Sequence, residues 1–65
     1  MILLVKEFLK ENQEKILHFT TNNNRFYNGT LIELGKNSVL INDRKLGDMN
    51  LLYSQILNVE PFIER

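Results

Sequence analysis

Three short runs of residues carry whatever chemistry this chain has. Lys36, Asn37 and Ser38 place an ammonium, an amide and a hydroxyl in consecutive positions after Gly35. Tyr53 and Ser54 add an aromatic face and a second hydroxyl, and Arg25 precedes two rings, Phe26 and Tyr27. Amides and hydroxyls hydrogen-bond base edges, rings stack on any base, and cations neutralise phosphates. Residues of these types could together hold a single strand of nucleic acid. Each run also has a plainer reading. Asn and Ser are ordinary turn residues. Tyr53 suits a core or an interface with its hydroxyl at the rim. Phe26 and Tyr27 suit the two faces of one strand. Arg44 and Lys45 form a further cationic pair, but Asp43 and Asp48 flank them, which suits solvated charge.

Catalytic and metal chemistry find no foothold. His18 is the only histidine, and a lone histidine within a strand reads as a packed or surface residue. Cysteine is absent, so there is no thiolate ligand or nucleophile. The carboxylates are scattered through turns and a helix rather than paired for acid–base work. No glycine-rich phosphate loop is present. The expectation is a binding module, not an enzyme, with no metal and no cofactor.

The elements that must position these residues follow from pattern. Over residues 2–12, Leu4, Val5, Phe8 and Leu9 recur at helical spacing, with Lys6, Glu7, Lys10 and Glu11 between them and Asn12 as a stop. Such a short helix is stable only if its apolar stripe docks on something. Five strands are predicted after it: Lys15–Thr21, Arg25–Leu34, Ser38–Asn42, Met49–Tyr53 and Leu57–Glu60. Asn22–Asn24 and Gly35–Asn37 read as turns, and Asp43–Asp48, containing Gly47, as a charged hairpin loop. Ser54, Gln55 and Ile56 read as a short helical turn, and Pro61 as a strand end. Gly29 falls inside the second strand, where a bend or close backbone approach excludes a side chain. The predicted architecture is mainly β: an N-terminal helix followed by a small, strongly bent antiparallel sheet that closes on itself as an SH3-like barrel, with residues 15–61 in the barrel.

With 65 residues the chain makes one small domain. Eight basic and eight acidic side chains cancel, so no bulk field draws it to nucleic acid or acidic lipid. The apolar run Met1–Val5 is too short to span a bilayer. No membrane association is expected, and the lack of cysteine is compatible with the cytoplasm, the compartment expected. Ordering a chain this size costs roughly 100 kcal/mol, at about 1.5 kcal/mol per residue. Small domains meet that cost with disulfides, metals or self-association. Only the last is open here, unless the fold is compact enough to stand alone.

From residue 2 to residue 61 the pattern resembles the Sm-like family, comprising the Sm, Lsm and Hfq proteins. The resemblance rests on the leading helix and five strands. It also rests on Phe26-Tyr27-Asn28-Gly29-Thr30-Leu31, Val39-Leu40-Ile41-Asn42-Asp43 and Ile56-Leu57-Asn58-Val59-Glu60-Pro61. Gly29, Leu31, Ile41 and Asp43 fill the family's Gly-x-Leu and apolar-then-Asp places. The resemblance implies a homo-oligomeric ring in which the fourth strand of one copy pairs with the fifth of the next. Met49, Leu51, Tyr53, Leu57 and Val59 would then line the interface. It implies single-stranded RNA as partner, held by Lys36, Asn37, Ser38, Tyr53, Ser54 and Arg25. Here Gly35 stands at the family's Asp place, and Tyr53-Ser54 stand where the family has Arg-Gly or Lys-His. The alternative is an SH3-like barrel serving protein contact or assembly without nucleic acid.

Overall fold

The computed structural model describes residues 2–63. Helix α1 (Ile2–Glu11) leads into strands β1 (Leu17–Thr21), β2 (Phe26–Leu34), β3 (Ser38–Asp43), β4 (Gly47–Leu52) and β5 (Ile56–Pro61). One 3₁₀ turn, Tyr53–Gln55, joins β4 to β5. The protein is thus mainly β, one short helix and a five-stranded antiparallel sheet in the order β4-β3-β2-β1-β5.

Asn12 ends the helix as its type suggests. Its side-chain amide donates to the Phe8 carbonyl at 2.7 Å, and its backbone N–H to Leu9 at 3.2 Å. These bonds satisfy carbonyls that the last turn leaves without helical partners. Lys15 turns back on Asn12 through a 3.1 Å backbone bond, so β1 begins at Leu17 rather than Lys15.

Strands β1 and β3 alternate as pleating requires. Leu17, Phe19 and Thr21 point inward from β1, Val39, Ile41 and Asp43 from β3. Leu9 from the helix, Leu51 and Tyr53 complete the buried core. Val5 and Phe8 pack against it from α1, so the helix docks by the stripe its spacing defined.

Strand β2 is the hinge of the sheet. Its first half, Phe26–Gly29, pairs with β1, and its second half, Gly29–Leu34, with β3, so that Gly29 stands in both ladders. A Cβ on Gly29 would lie 2.2 Å from the Asn42 carbonyl oxygen. The bend brings backbone to backbone at that point, and only glycine leaves the room. Two bulges add curvature, one between Leu31 and Glu33, the other where Thr20/Thr21 faces Asn58 and Ile56 across β5.

The turn between β4 and β5 shows how far the sheet curls. These strands are its opposite edges. Edges of a flat five-stranded sheet stand about 19 Å apart at a strand spacing of about 4.8 Å. The chain from Leu52 to Ile56 reaches at most about 14 Å when extended, and less as a 3₁₀ turn. The sheet must therefore fold its edges toward one another.

The expectation that the sheet closes on itself is corrected: β4 and β5 share no ladder, and the sheet stays open between them. The chain crosses between these two edges through the 3₁₀ turn Tyr53–Gln55, which does not lay the strands side by side as a tight two-residue hairpin would. Leu9 of the helix completes the core with Phe19, Ile41, Leu51 and Tyr53.

Candidate nucleic-acid interface

The expected contact residues fall at two places. Lys36, Asn37 and Ser38 follow β2 at its far end, beside the 3₁₀ turn. The Tyr53 N–H donates to the Asn37 carbonyl at 3.0 Å, and the Gly35 N–H to the Ser38 carbonyl at 2.8 Å. Ser38 also pairs with Leu52 in the β3–β4 ladder. The Asn22 N–H reaches the Gln55 carbonyl at 2.8 Å, bringing the Asn22–Asn24 turn to the same 3₁₀ segment. The structure thus assembles Lys36, Asn37, Ser38 and Ser54 into one polar cluster, with all but Ser38 exposed. Backbone bonds hold both loops, which leaves side-chain amides and hydroxyls at the surface on a fixed frame.

Tyr53 is the core tyrosine of the two readings. It is 4 % exposed, its hydroxyl donates to the Gly35 carbonyl at 2.8 Å, and Lys6 Nζ lies 5.3 Å from its ring centroid. Burial pushes its phenol pKa up from 10.0. Its ring joins helix, 3₁₀ turn and β2–β3 loop, and it offers no face to a base. Leu51, expected at an interface, likewise fills the core of its own chain, while Met49 and Val59 are half-buried against it. Leu57 is 66 % exposed on β5. Leu52, which sequence reasoning passed over, is 46 % exposed on β4.

Arg25 goes elsewhere. It precedes β2, at the end of that strand opposite Lys36, and lines a cleft of about 680 Å³. One wall is residues 25–28, the other residues 43–46, with Phe62 also lining it. The Arg44 N–H donates to the Asn28 carbonyl at 2.8 Å and ties the walls together. Asp43 organises the second wall. Its Oδ1 accepts from the Asn28 N–H at 3.0 Å, and its Oδ2 from the N–H groups of Lys45 and Leu46 at 2.9 Å each. Burial by itself would raise the Asp43 pKa, but these three donors and the Lys45 charge outweigh it and hold the value below 3.8. Gly47 closes the turn at φ 83°, a left-handed conformation that glycine adopts without a Cβ clash.

Phe26 stands on the first wall, 63 % exposed, and its ring stacks on His18 at 5.6 Å between centroids and 14° between planes. His18 Nδ1 lies 2.6 Å from Asn28 Oδ1. The Arg44 guanidinium sits over Phe62 at 5.5 Å. Among the described residues, no cluster of His, Cys, Asp or Glu has the form of a metal site. No described helix is long and apolar enough to cross a membrane. Searches of family models, curated proteins and solved structures find no match to this chain.

Proposed function

We propose that the chain is an Sm-like subunit that assembles head to tail into a homo-oligomeric ring and binds single-stranded RNA through the loops at one ring face. The supporting observation is the strand order. The two edge strands, β4 and β5, lie on opposite sides of one curled sheet, and each leaves a row of backbone donors and acceptors unpaired within the chain. Unpaired edges attract further strands. A β4 edge meeting the β5 edge of the next copy is a heterologous contact, which gives a ring when the rotation from copy to copy closes. Closure in a ring, rather than within one chain, completes the barrel-like wall and adds the buried area a 65-residue domain lacks. Lys36, Asn37, Ser38 and Ser54 then repeat around the ring and offer each copy's amide and hydroxyls to a base.

A second reading has its own support. The formal net charge is zero, and Lys36 is the single cation of the loop cluster. These features favour an SH3-like assembly module that contacts protein alone.

Light scattering and a labelled oligoribonucleotide separate the readings. A ring gives a mass several times 7.7 kDa, and a monomer at micromolar concentration removes it. RNA binding weakens as salt rises, with a logarithmic slope of about 0.7 per phosphate neutralised on a single strand. A ring that binds no oligo(U) or oligo(A) at low salt is the assembly module instead.

A further inference from the structure

The cleft between residues 25–28 and 43–46 is separate from the loop cluster, and its chemistry is more specific. It presents cations on both walls, Arg25 on one and Arg44 and Lys45 on the other. Among the described lining residues the one carboxylate is Asp43, which is buried and spends both oxygens on backbone N–H groups of the cleft itself. Its charge fixes the wall instead of facing a ligand. Among the described lining residues cations therefore outnumber carboxylates, although the whole chain is formally neutral.

The apolar lining of the cleft is mostly aromatic, Phe26, Tyr27 and Phe62, with Leu46 beside them. Phe26 lines the cleft, whereas His18, which stacks on the same ring, lines a different depression with Glu60 and Ile63. His18 covers one face of the phenyl ring, and at 63 % exposure the ring keeps surface for a second plane on the cleft side. A ring braced by a parallel partner loses little freedom when a second plane stacks on it, which lowers the entropic cost of binding. The volume of about 680 Å³ falls within the range of small-ligand sites.

The geometry points to a nucleoside phosphate as the ligand of this cleft, its base on the cleft side of Phe26 and its phosphate between Arg25 and Lys45. The required ligand joins a flat apolar plane to an anion at short range. An acidic peptide supplies the anion without the plane, and inorganic phosphate likewise. A free nucleotide and one residue of a single strand share the chemistry, and they differ in how tightly the rest of the molecule is held. The site needs no ring and no contribution from Lys36–Ser38.

Amide shift mapping on the isotopically labelled full chain tests the assignment. The probes are AMP, UMP, ribose 5-phosphate, hexaglutamate and a six-nucleotide oligoribonucleotide. AMP or the oligonucleotide is expected to shift the amides of residues 25–28 and 44–46, with ribose 5-phosphate and hexaglutamate much weaker. Oligonucleotide affinity far above that of AMP identifies the source as a strand, and comparable affinities identify it as the free nucleotide. Phe26→Leu, at an exposed position, is expected to weaken AMP on the order of tenfold, in line with the loss of one stacked base. Arg25→Gln with Lys45→Gln weakens it and flattens the salt dependence. Ribose 5-phosphate or hexaglutamate binding as well as AMP overturns the proposal, as does Phe26→Leu binding AMP unchanged. Shifts confined to residues 36–38 and 54–55 also overturn it and leave the loop cluster as the RNA site. Cleft shifts in a chain that stays monomeric uphold this site and remove the ring.

Discussion

The hydroxyl of Tyr53 donates to the carbonyl of Gly35 at 2.8 Å, across 18 positions of sequence. With the Tyr53 N–H bonded to Asn37, this locks the β4–β5 turn to the β2–β3 loop and holds the curl of the sheet. Tyr53→Phe keeps the ring and removes the bond. We expect a loss of about 1 kcal/mol, the usual net worth of such a bond. In a domain this small that lowers Tm by about 4–8 °C. Urea titration read by circular dichroism measures it. Burial raises the phenol pKa above 10.0, so the folded state favours the protonated form. That contribution is whole below pH 10.0 and is lost as pH rises through the folded value. The alkaline limb of the stability profile is therefore expected to flatten in Tyr53→Phe.

Asp43 sets the acid limb. Its pKa is held below 3.8, so the folded state favours the ionised form. The stabilisation is present above pH 3.8 and disappears as pH falls below that point through the folded value. Asp43→Asn does not titrate and presents an amide that can only partly replace the two acceptor oxygens. A loss of about 1–3 kcal/mol at pH 7 is expected, with the variant and wild type converging toward pH 2. Parallel acid limbs in the two proteins would contradict this account.

Gly29 and Gly47 differ in why they are glycine, and the difference is measurable. A Cβ at Gly29 would meet the Asn42 carbonyl oxygen at 2.2 Å, its carbon at 2.7 Å and the Asp43 Cα at 3.0 Å, all backbone atoms that cannot swing aside. Gly29→Ala is expected to cost about 3 kcal/mol by overpacking, a large share of the stability of so small a domain. At Gly47 nothing lies within 4 Å, and only its φ of 83° resists a side chain. Gly47→Ala is expected to cost about 1–2 kcal/mol. Urea midpoints in the reverse order would mean that β2 does not bend at Gly29.

Much of this fold is legible because strands and turns mark themselves locally. The alternation in Leu17–Thr21 and Ser38–Asp43, the asparagines after Thr21 and the glycine within β2 each predict what the backbone does there. The bulges are not legible. The residues they leave out of register, Ile32 and Leu57, sit in strands that already mix apolar and polar residues, so an extra apolar residue leaves no compositional trace. The place of Tyr53 is not legible, because tyrosine serves a core or a surface equally well until its hydroxyl partner is known. Chemistry alone groups Arg25 with Asn37, yet β2 separates them by its whole length. What joins Arg25 to Arg44 and Lys45 is the register that sets Gly29 opposite Asp43, a long-range pairing. The cleft exists only once that ladder forms.

The edge strands give the remaining prediction. Leu52 on β4 and Leu57 on β5 are exposed, so lysine at either position leaves the core of one chain intact. Charge on an edge strand opposes pairing with another chain, because the ammonium would have to lose water against an apolar neighbour. If copies join edge to edge, Leu52→Lys and Leu57→Lys each lower the mass in solution toward 7.7 kDa while circular dichroism stays that of a folded domain. Association also couples to stability by mass action, so the wild-type Tm rises with protein concentration and that of Leu57→Lys does not. Glu7→Gln is the charge-matched control, since it also shifts net charge by one unit but at an exposed helix position and not on an edge strand. Equal masses for all variants would place any association on another surface.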